Sequence, residues 1–170
     1  MKTNVALIGF MGTGKTVVGR LLAGATGKDF LELDTVIAEE AGVSIPDIFA
    51  REGEAGFRHR ETTAVAGAAN RKNTVIACGG GVVLTTMNIN RLRETSWIVL
   101  LTAARSVILE RTRREGATRP LLAGPDPAAA IARLLEERRP LYRRAADVTV
   151  FTTRRTPEEV VREIRRKLQI

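Results

Sequence analysis

One stretch near the N-terminus, VALIGFMGTGKTVVG at Val5–Gly19, constrains the fold of this chain more than any other. An apolar run typical of a buried strand leads into Gly9, and Gly14-Lys15-Thr16 completes the pattern G-x-x-x-x-G-K-[ST]. Residues with helical spacing follow, which gives the strand–loop–helix context that a phosphate-binding loop requires. The sequence therefore predicts a nucleoside triphosphate site. It leaves open whether the protein is a switch, a motor or a kinase.

Each part of this loop has a physical task. Its glycines let successive backbone N–H groups turn towards phosphate oxygens, and the following helix points its positive end at the same place. We expect Lys15 to reach the β- and γ-phosphates and the Thr16 hydroxyl to bind Mg²⁺. Four more residues of the loop and helix start belong to the predicted nucleotide site, namely Gly12, Thr13, Gly14 and Val17.

Apolar runs alternate with helical patterns along the whole chain. Five runs predict strands: Asn4–Gly9, Asp29–Asp34, Asn73–Cys78, Ser96–Thr102 and Asp147–Thr152. Six segments have helical spacing: Lys15–Ala25, Thr35–Ala41, Pro46–Ala69, Ser106–Arg114, Pro127–Arg144 and Pro157–Leu168. This alternation predicts an α/β fold, in which helices cover both faces of a parallel sheet. The length of 170 residues predicts a single domain, residues 1–170.

The formal net charge of +8 arises entirely from the second half of the chain. Residues 1–90 hold nine Lys/Arg and nine Asp/Glu, whereas residues 91–170 hold eighteen and ten, and nearly all of these cations are arginine. Arginine suits an anionic ligand or nucleic acid, although a solvated surface is the favoured interpretation for most of these side chains. The basic character alone therefore does not identify a partner.

Cysteine content and hydropathy indicate the compartment. Cys78 is the only cysteine, so no internal disulfide can form, and a cytoplasmic location is expected. No apolar stretch reaches the roughly 20 residues that span a bilayer, and no export signal is visible, so we expect no membrane partner. We interpret Cys78 as packed core and His59, the only histidine, as a surface helix residue.

Acidic residues and glycines end two of the predicted strands, at the edge where parallel sheets bind ligands. Asp34 ends the second strand and could bind a metal-bound water, take a proton from a hydroxyl, or cap the next helix. Glu32 could touch the water shell of Mg²⁺. Gly79, Gly80 and Gly81 end the third strand and predict a tight turn whose backbone amides approach a ligand closely.

Six motifs, in this order and at this spacing, resemble the shikimate kinase family. They are GFMGTGKT, Asp34, DIFAREGEAGFRHRE, CGGGVV, TRPLL and RRPLY, and together they span most of the chain. The resemblance implies transfer of the γ-phosphate of ATP to the 3-hydroxyl of shikimate, with Mg²⁺, in chorismate and aromatic amino-acid biosynthesis. It also implies a three-layer P-loop kinase fold whose five-stranded parallel sheet has the order 2-3-1-4-5. A helical substrate-binding subdomain at about residues 34–62 and a mobile lid at about residues 114–126 complete it.

The resemblance assigns the acceptor side residue by residue. Asp34 matches the acid that holds the shikimate hydroxyls and can act as base. Arg58 and Arg138 match the pair that holds the carboxylate, and Glu61 would orient Arg58 from the next helical turn. Glycines and phenylalanines complete the implied pocket: Gly79, Gly80, Gly81, Phe49 and Phe57.

The same resemblance assigns the donor side. Arg119 of TRPLL matches the lid arginine that reaches the phosphates. Arg111 and Pro157 match the residues that flank adenine, with Arg155 beside them. This chain departs from the family at Glu32, where an aspartate is common, and the longer acid would shift the Mg²⁺ water shell.

Other classes of protein stay open at this point. Another small-molecule kinase, for gluconate or a nucleoside monophosphate, would share the loop and the fold but should lack the Arg58, Arg138 and triple-glycine set. A nucleotide-dependent switch would require an Asn-Lys-x-Asp segment that recognises guanine, and this sequence does not contain one. A nucleic-acid-binding ATPase would require aromatic residues among its arginines to stack on bases, and few are present. We therefore expect shikimate and ATP as partners, no nucleic acid, and a monomer.

Overall fold

The computed structural model describes residues 2–114, 120–122 and 124–170. Its strands are Asn4–Ile8 (β1), Asp29–Glu32 (β2), Thr74–Ala77 (β3), Ser96–Thr102 (β4) and Val148–Phe151 (β5). Its α-helices are Lys15–Thr26 (α1), Leu33–Ala41 (α2), Ile45–Ala69 (α3), Thr86–Thr95 (α4), Arg105–Arg114 (α5), Pro127–Ala145 (α6) and Pro157–Leu168 (α7). Short 3₁₀ turns lie at Val82–Leu84 and Pro120–Leu122.

The strands form one parallel sheet in the order β2-β3-β1-β4-β5. β1 is central, and Val5 pairs in register with Val75 of β3 and with Trp97 of β4. All five residues of β1 are buried, as a strand with helices on both faces requires. The predicted α/β fold and the sheet order are confirmed.

The side chains of β1 alternate between two hydrophobic cores, because successive residues of a strand point to opposite faces. Ala6 and Ile8 pack with apolar residues of α3, α4 and α6. Val5 and Leu7 pack with apolar residues of α1 and α7. The sheet is therefore the middle of three layers, and the loops at its carboxyl edge remain available to form a site.

The structure corrects the predicted end of the second strand. β2 ends at Glu32 and α2 begins at Leu33, so Asp34 lies in the first turn of α2 and not on the strand. Glu32 takes the N-cap position, so the alternative interpretation of Asp34 as the helix cap is wrong. The Asp34 carboxylate instead places a negative charge at the positive end of α2, which is a favourable position.

Two helices differ from the predicted ones. α3 begins just before Pro46 because Ser44 caps it, and Gly53 interrupts it with a φ of 70°. α4 has no counterpart among the predicted helices, since its sequence TMNINRLRET contains few apolar residues. Ile89 and Leu92 are nevertheless buried, and α4 packs against α3 and β4. Tertiary packing stabilises this helix where the local pattern is weak.

The predicted lid lies partly outside the described residues, which exclude 115–119 and 123. Its described part contains the turn at Pro120–Leu122 and ends at Asp126, the N-cap of α6, whose carboxylate accepts a hydrogen bond from Ala129 N at 3.0 Å. No helix of the described ranges is both long and apolar enough to cross a membrane.

Candidate active site

Two cavities adjoin at the carboxyl edge of the sheet. The first, the loop cavity, has a volume of about 130 Å³ and lies at the start of α1. The second, the arginine cavity, has a volume of about 250 Å³ and is lined by residues of α2, α3 and α6. Asp34, Gly79 and Gly80 line both cavities. A group bound in one cavity would therefore stand next to a group bound in the other.

A single short segment forms much of the loop cavity. Gly14 has a φ of 94° at the N-cap of α1, a conformation that favours glycine. The first N–H groups of α1 have no partner within the helix and are available to an anion. Lys15 Nζ donates hydrogen bonds to the carbonyl oxygens of Gly9 at 2.8 Å and Phe10 at 2.9 Å. The loop cavity thus combines a cation with backbone donors, which suits a polyphosphate.

Thr16 and Glu32 connect the loop to β2. The Thr16 hydroxyl donates a hydrogen bond to Glu32 Oε1, and Glu32 Oε2 accepts one from Thr35 Oγ1 at 3.3 Å. Mg²⁺ prefers oxygen ligands of this kind, and usually takes only one or two carboxylates from a protein because phosphates and waters complete its shell. Within the described ranges, no group of three or more His, Cys, Asp or Glu could hold a metal. Thr16 and Glu32 fit a magnesium ion shared with a triphosphate.

Three predicted nucleotide residues lie in or beside the loop. Thr13 is buried, and its hydroxyl donates to the Phe10 carbonyl oxygen at 2.7 Å, so its side chain stabilises the loop from within. Val17 is exposed and lines the loop cavity. Arg111 of α5 donates from Nη1 to the Gly12 carbonyl oxygen at 3.0 Å. Arg111 is thereby held against the loop, although the two are far apart in sequence.

The other predicted nucleotide residues follow β5 or fall outside the description. Arg155 forms an ion pair with Glu163 of α7. This hydrogen-bonded guanidinium, together with the Lys167 ammonium, lowers the pKa of Glu163 below its usual value. Pro157 is the first residue of α7. Arg119 lies outside the described residues.

Two arginines from distant helices line the arginine cavity, Arg58 of α3 and Arg138 of α6. Arg58 donates from Nη1 to Glu61 Oε2 at 3.0 Å and from Nη2 to Glu54 Oε1 at 3.2 Å. Arg138 is only 2% exposed, and no described carboxylate forms an ion pair with it. Burying a guanidinium without an acid is costly, so a bound anion would stabilise this side chain.

A buried carboxyl group and two glycines pack beside Arg58. Glu61 is 0% exposed, and its Oε1 has no hydrogen-bond partner among the described residues. Burial raises the pKa of Glu61, against the opposing effect of the Arg58 charge. A Cβ atom at Gly79 would lie 2.9 Å from Glu61 Oε1 and 3.0 Å from Asp34 Oδ1, and one at Gly81 would overlap the Arg58 guanidinium. A side chain at either glycine would displace the charged ends of Arg58, Glu61 or Asp34 from their positions beside the turn.

A tyrosine that the sequence reasoning missed ties the glycine turn to α6. The Tyr142 hydroxyl donates a hydrogen bond to the Gly80 carbonyl oxygen, and burial raises the pKa of Tyr142 to about 12. Tyr142 follows Arg138 by four residues, so both project from the same side of α6. The spacing of Arg138 and Tyr142 is visible in the motif RRPLY, but the sequence does not indicate that Gly80 would be the hydrogen-bond partner of Tyr142.

Apolar side chains form another wall of the arginine cavity. The rings of Phe49 and Phe57 have centroids 4.8 Å apart and planes tilted by 33°. Four lining residues were not predicted: Met11, Ile45, Pro120 and Leu121. Met11 occupies a variable position of the loop pattern, and Pro120 and Leu121 belong to TRPLL. The sequence therefore contained these motifs but did not indicate that the three residues line a cavity.

Comparison with known sequences identifies close relatives. A sequence model of the family described as shikimate kinase matches residues 11–169. The shikimate kinase of Symbiobacterium thermophilum is 48% identical over 167 residues, which cover 98% of this chain and 96% of that protein. The shikimate kinase of Caldanaerobacter subterraneus subsp. tengcongensis is 47% identical over 161 residues, covering 95% of this chain and 93% of that protein.

Solved structures give the same relationship. A shikimate kinase from Acinetobacter baumannii in complex with shikimate superposes with a TM-score of 0.95 at 37% identity, covering 99% of this chain and 94% of that one. A gluconokinase from Sinorhizobium meliloti 1021 superposes with a TM-score of 0.57 at 18% identity, covering 95% of this chain and 89% of that one. The gluconokinase shares the fold alone.

Proposed function

This chain belongs to the shikimate kinase family, and we propose that it transfers the γ-phosphate of ATP to the 3-hydroxyl of shikimate, giving shikimate 3-phosphate. The observation that carries the proposal is the pair of adjoining cavities. One presents a phosphate-binding loop. The other presents two arginines for a carboxylate, and Asp34 stands where the two meet.

On the donor side, the chain's own residues would bind and neutralise the triphosphate. The loop backbone from Gly12 to Val17 would hold phosphate oxygens, and Lys15 would leave the loop carbonyls for the β- and γ-phosphates. Arg119 would add a second positive charge near the transferred group. Arg111 and Pro157, with Arg155 beside them, would flank the adenine. The contact of Arg111 with Gly12 supports this placement for Arg111.

Thr16 and Glu32 would hold the magnesium ion, Thr16 directly and Glu32 through water. Bound there, Mg²⁺ would neutralise charge on the phosphate oxygens. The hydrogen bond from Thr16 to Glu32 supports this assignment, because it holds a hydroxyl and a carboxylate together at the loop cavity. Glu32 is also close enough to orient the Thr16 hydroxyl before the nucleotide binds.

On the acceptor side, Arg58 and Arg138 would bind the shikimate carboxylate, and Glu61 would orient Arg58. Asp34 would accept a hydrogen bond from the 3-hydroxyl and polarise it towards the phosphorus atom. The backbone at Gly79, Gly80 and Gly81 and the rings of Phe49 and Phe57 would complete the pocket. Phosphoryl transfer depends mostly on positioning and charge stabilisation, which these groups supply.

We also propose that residues 34–62 form a substrate-binding subdomain and that residues 114–126 form a lid. A closed lid would exclude water, which otherwise competes with shikimate as the acceptor. The turn at Pro120–Leu122 supports the idea, since Pro120 and Leu121 line the arginine cavity. A cytoplasmic monomer that binds neither nucleic acid nor a membrane stays a prediction.

An assay of ADP release tests the proposed reaction. Shikimate, gluconate and nucleoside monophosphates are compared side by side as acceptors, with Mg²⁺ and ATP, and mass spectrometry identifies the product. We expect turnover with shikimate alone and a single added phosphoryl group. Turnover with gluconate or a monophosphate, and none with shikimate, would assign the chain to another small-molecule kinase.

A further inference from the structure

A third cavity, the edge cavity, lies on the α6 side of the phosphate loop and is separate from the loop cavity and the arginine cavity. It has a volume of about 150 Å³ and is enclosed by α5, α6 and the ends of β4 and β5. None of the described residues that line it also lines the loop cavity or the arginine cavity. Phe10 and Thr13 of the phosphate loop form part of its wall, so it reaches the loop from the side of α6.

The interior of the edge cavity is largely apolar. Leu100 of β4, Ile108 of α5 and Leu135 of α6 line it, and Phe151 of β5 lies at its edge with 65% of its surface exposed. A cavity of about 150 Å³ lined by such side chains holds one benzene-sized ring. In the wall, Thr13 donates to Phe10 and Tyr142 donates to Gly80. Thr102 and Thr149 add two further hydroxyl groups to the lining. Apolar side chains outnumber these hydroxyl groups, so the interior favours an apolar ring over water.

Three arginines, Arg105, Arg139 and Arg143, also line the edge cavity, and no aspartate or glutamate of the described ranges does. All three are exposed, and none makes a hydrogen bond or an ion pair with another described residue. Arg139 and Arg143 are four residues apart on α6, a spacing at which like charges repel. On the same helix, exposed Arg133 in contrast pairs with Glu137.

We propose that the edge cavity is a second ligand site, which takes a small molecule with one apolar ring and one carboxylate. The ring would pack against Leu100, Ile108 and Leu135. The carboxylate would bind Arg139 and Arg143, whose planar guanidinium groups match it. The charge of the rim and the size of the interior select this class over a neutral apolar molecule or a larger polyanion.

The test uses 4-fluorobenzoate as the probe and its fluorine NMR signal as the readout. The whole protein is first saturated with shikimate and ADP, so that the probe cannot use the arginine cavity or the loop cavity. We expect saturable binding with a Kd on the order of 1 mM, as for a ligand of about ten heavy atoms. 4-Fluorobenzyl alcohol, which keeps the ring and lacks the charge, should bind at least about tenfold more weakly.

Variants locate the probe. The double change Arg139→Gln and Arg143→Gln should weaken binding at least about tenfold. The double change Arg165→Gln and Arg166→Gln on α7 removes the same net charge and should leave binding unchanged. Leu135→Phe fills the interior and should also weaken binding. Turnover with shikimate and ATP should persist in all of them, which shows that they fold.

Three outcomes would overturn the proposal. The first is an absence of saturable binding to the saturated parent protein. The second is equal binding of the alcohol and the carboxylate, which would make the cavity a neutral apolar pocket. The third is equal weakening by the α6 and α7 double variants, which would reduce the effect to net charge. The blocking step and the turnover control rest on the proposed function, whereas the comparison of the α6 and α7 double variants does not.

Discussion

The loop cavity and the arginine cavity lie side by side but would recognise anions by different means. The loop cavity relies on consecutive backbone groups at the start of α1, with Lys15 beside them. The arginine cavity relies on charged side chains that α2, α3 and α6 bring together. One is encoded within a few residues, whereas the other exists only after the chain has folded.

This difference also appears in the energetics. The backbone donors of the loop cost little to organise, since a helix N-terminus presents them in any case. Among the described residues, the arginine cavity buries Arg138 without an ion pair and Glu61 with one oxygen that has no hydrogen-bond partner. Such groups reduce stability until a ligand pairs with them. The acceptor side therefore depends more strongly on its ligand than the donor side does.

The largest expected effect is on the loop cavity. Lys15→Ala should lower kcat by roughly 10³-fold or more, the scale seen when a cation that acts on the transferred phosphoryl group is removed. The fold should persist, because Lys15 is only partly buried and donates to carbonyls of the loop rather than packing in the core. Steady-state kinetics measures kcat, and circular dichroism shows whether the variant is folded. Lys72→Ala, an exposed control, should change neither, and near-normal turnover of Lys15→Ala would disprove this loop as the ATP site.

The next effect concerns the arginine cavity and separates it from the loop cavity. Arg58→Ala and Arg138→Ala should each weaken shikimate binding by about 2–5 kcal/mol, because the carboxylate loses a buried donor. ATP binding should be almost unchanged in both. Calorimetric titration of each ligand measures this, with Arg133→Ala as the matched control on α6. If either variant bound shikimate as tightly as the parent, the assignment of that arginine to the shikimate carboxylate would be wrong.

Arg119→Ala should show the reverse pattern. It should reduce kcat more than shikimate affinity, because its proposed partner is the phosphate and not the carboxylate. The same titrations, combined with turnover measurements, compare it with Arg58→Ala. A variant that loses shikimate affinity while keeping kcat would place Arg119 with the acceptor.

A smaller effect is expected where the two cavities meet. Asp34→Asn keeps the shape and removes the charge, so kcat should fall by roughly 10²-fold, the scale of losing a general base. Asp29→Asn, at the exposed start of β2, is the control. An unchanged kcat in Asp34→Asn would limit Asp34 to its favourable position at the start of α2.

The smallest effect concerns stability and its dependence on pH. The pKa of Glu61 is raised by burial, so its contribution to folding is fully present below the unfolded glutamate pKa of about 4.3 and is lost as pH rises through the folded value. Glu61→Gln should therefore match the parent near pH 4 and be more stable at pH 7. Urea unfolding across this range measures the difference.

Glu163→Gln should change stability with pH in the direction opposite to Glu61→Gln. The pKa of Glu163 is lowered by Arg155 and Lys167, so its contribution is present above about pH 4.3 and is lost as pH falls through the folded value. This variant should be less stable than the parent at pH 7 and approach it in acid. If both variants changed in the same direction with pH, the contrast between a buried and a paired carboxylate would be wrong.

The sequence by itself determined the loop cavity and the sheet. The spacing from Gly9 to Thr16 specifies neighbours within one turn of chain, so local pattern suffices. The alternation of apolar runs and helical segments similarly determined the α/β fold. The charged set of Arg58, Glu61 and Arg138 was named through the resemblance to a family, not through any local signal.

Only the tertiary structure decided the rest. It put Asp34 in the first turn of α2, stabilised α4 despite a weak pattern, and joined Tyr142 to Gly80. It also buried Arg138 without an ion pair to a described carboxylate and created the edge cavity. The physical reason is the distance along the sequence over which each kind of interaction acts. Backbone hydrogen bonding and helix capping depend on residues a few positions apart, whereas burial, ion pairing and cavities depend on which distant elements pack together.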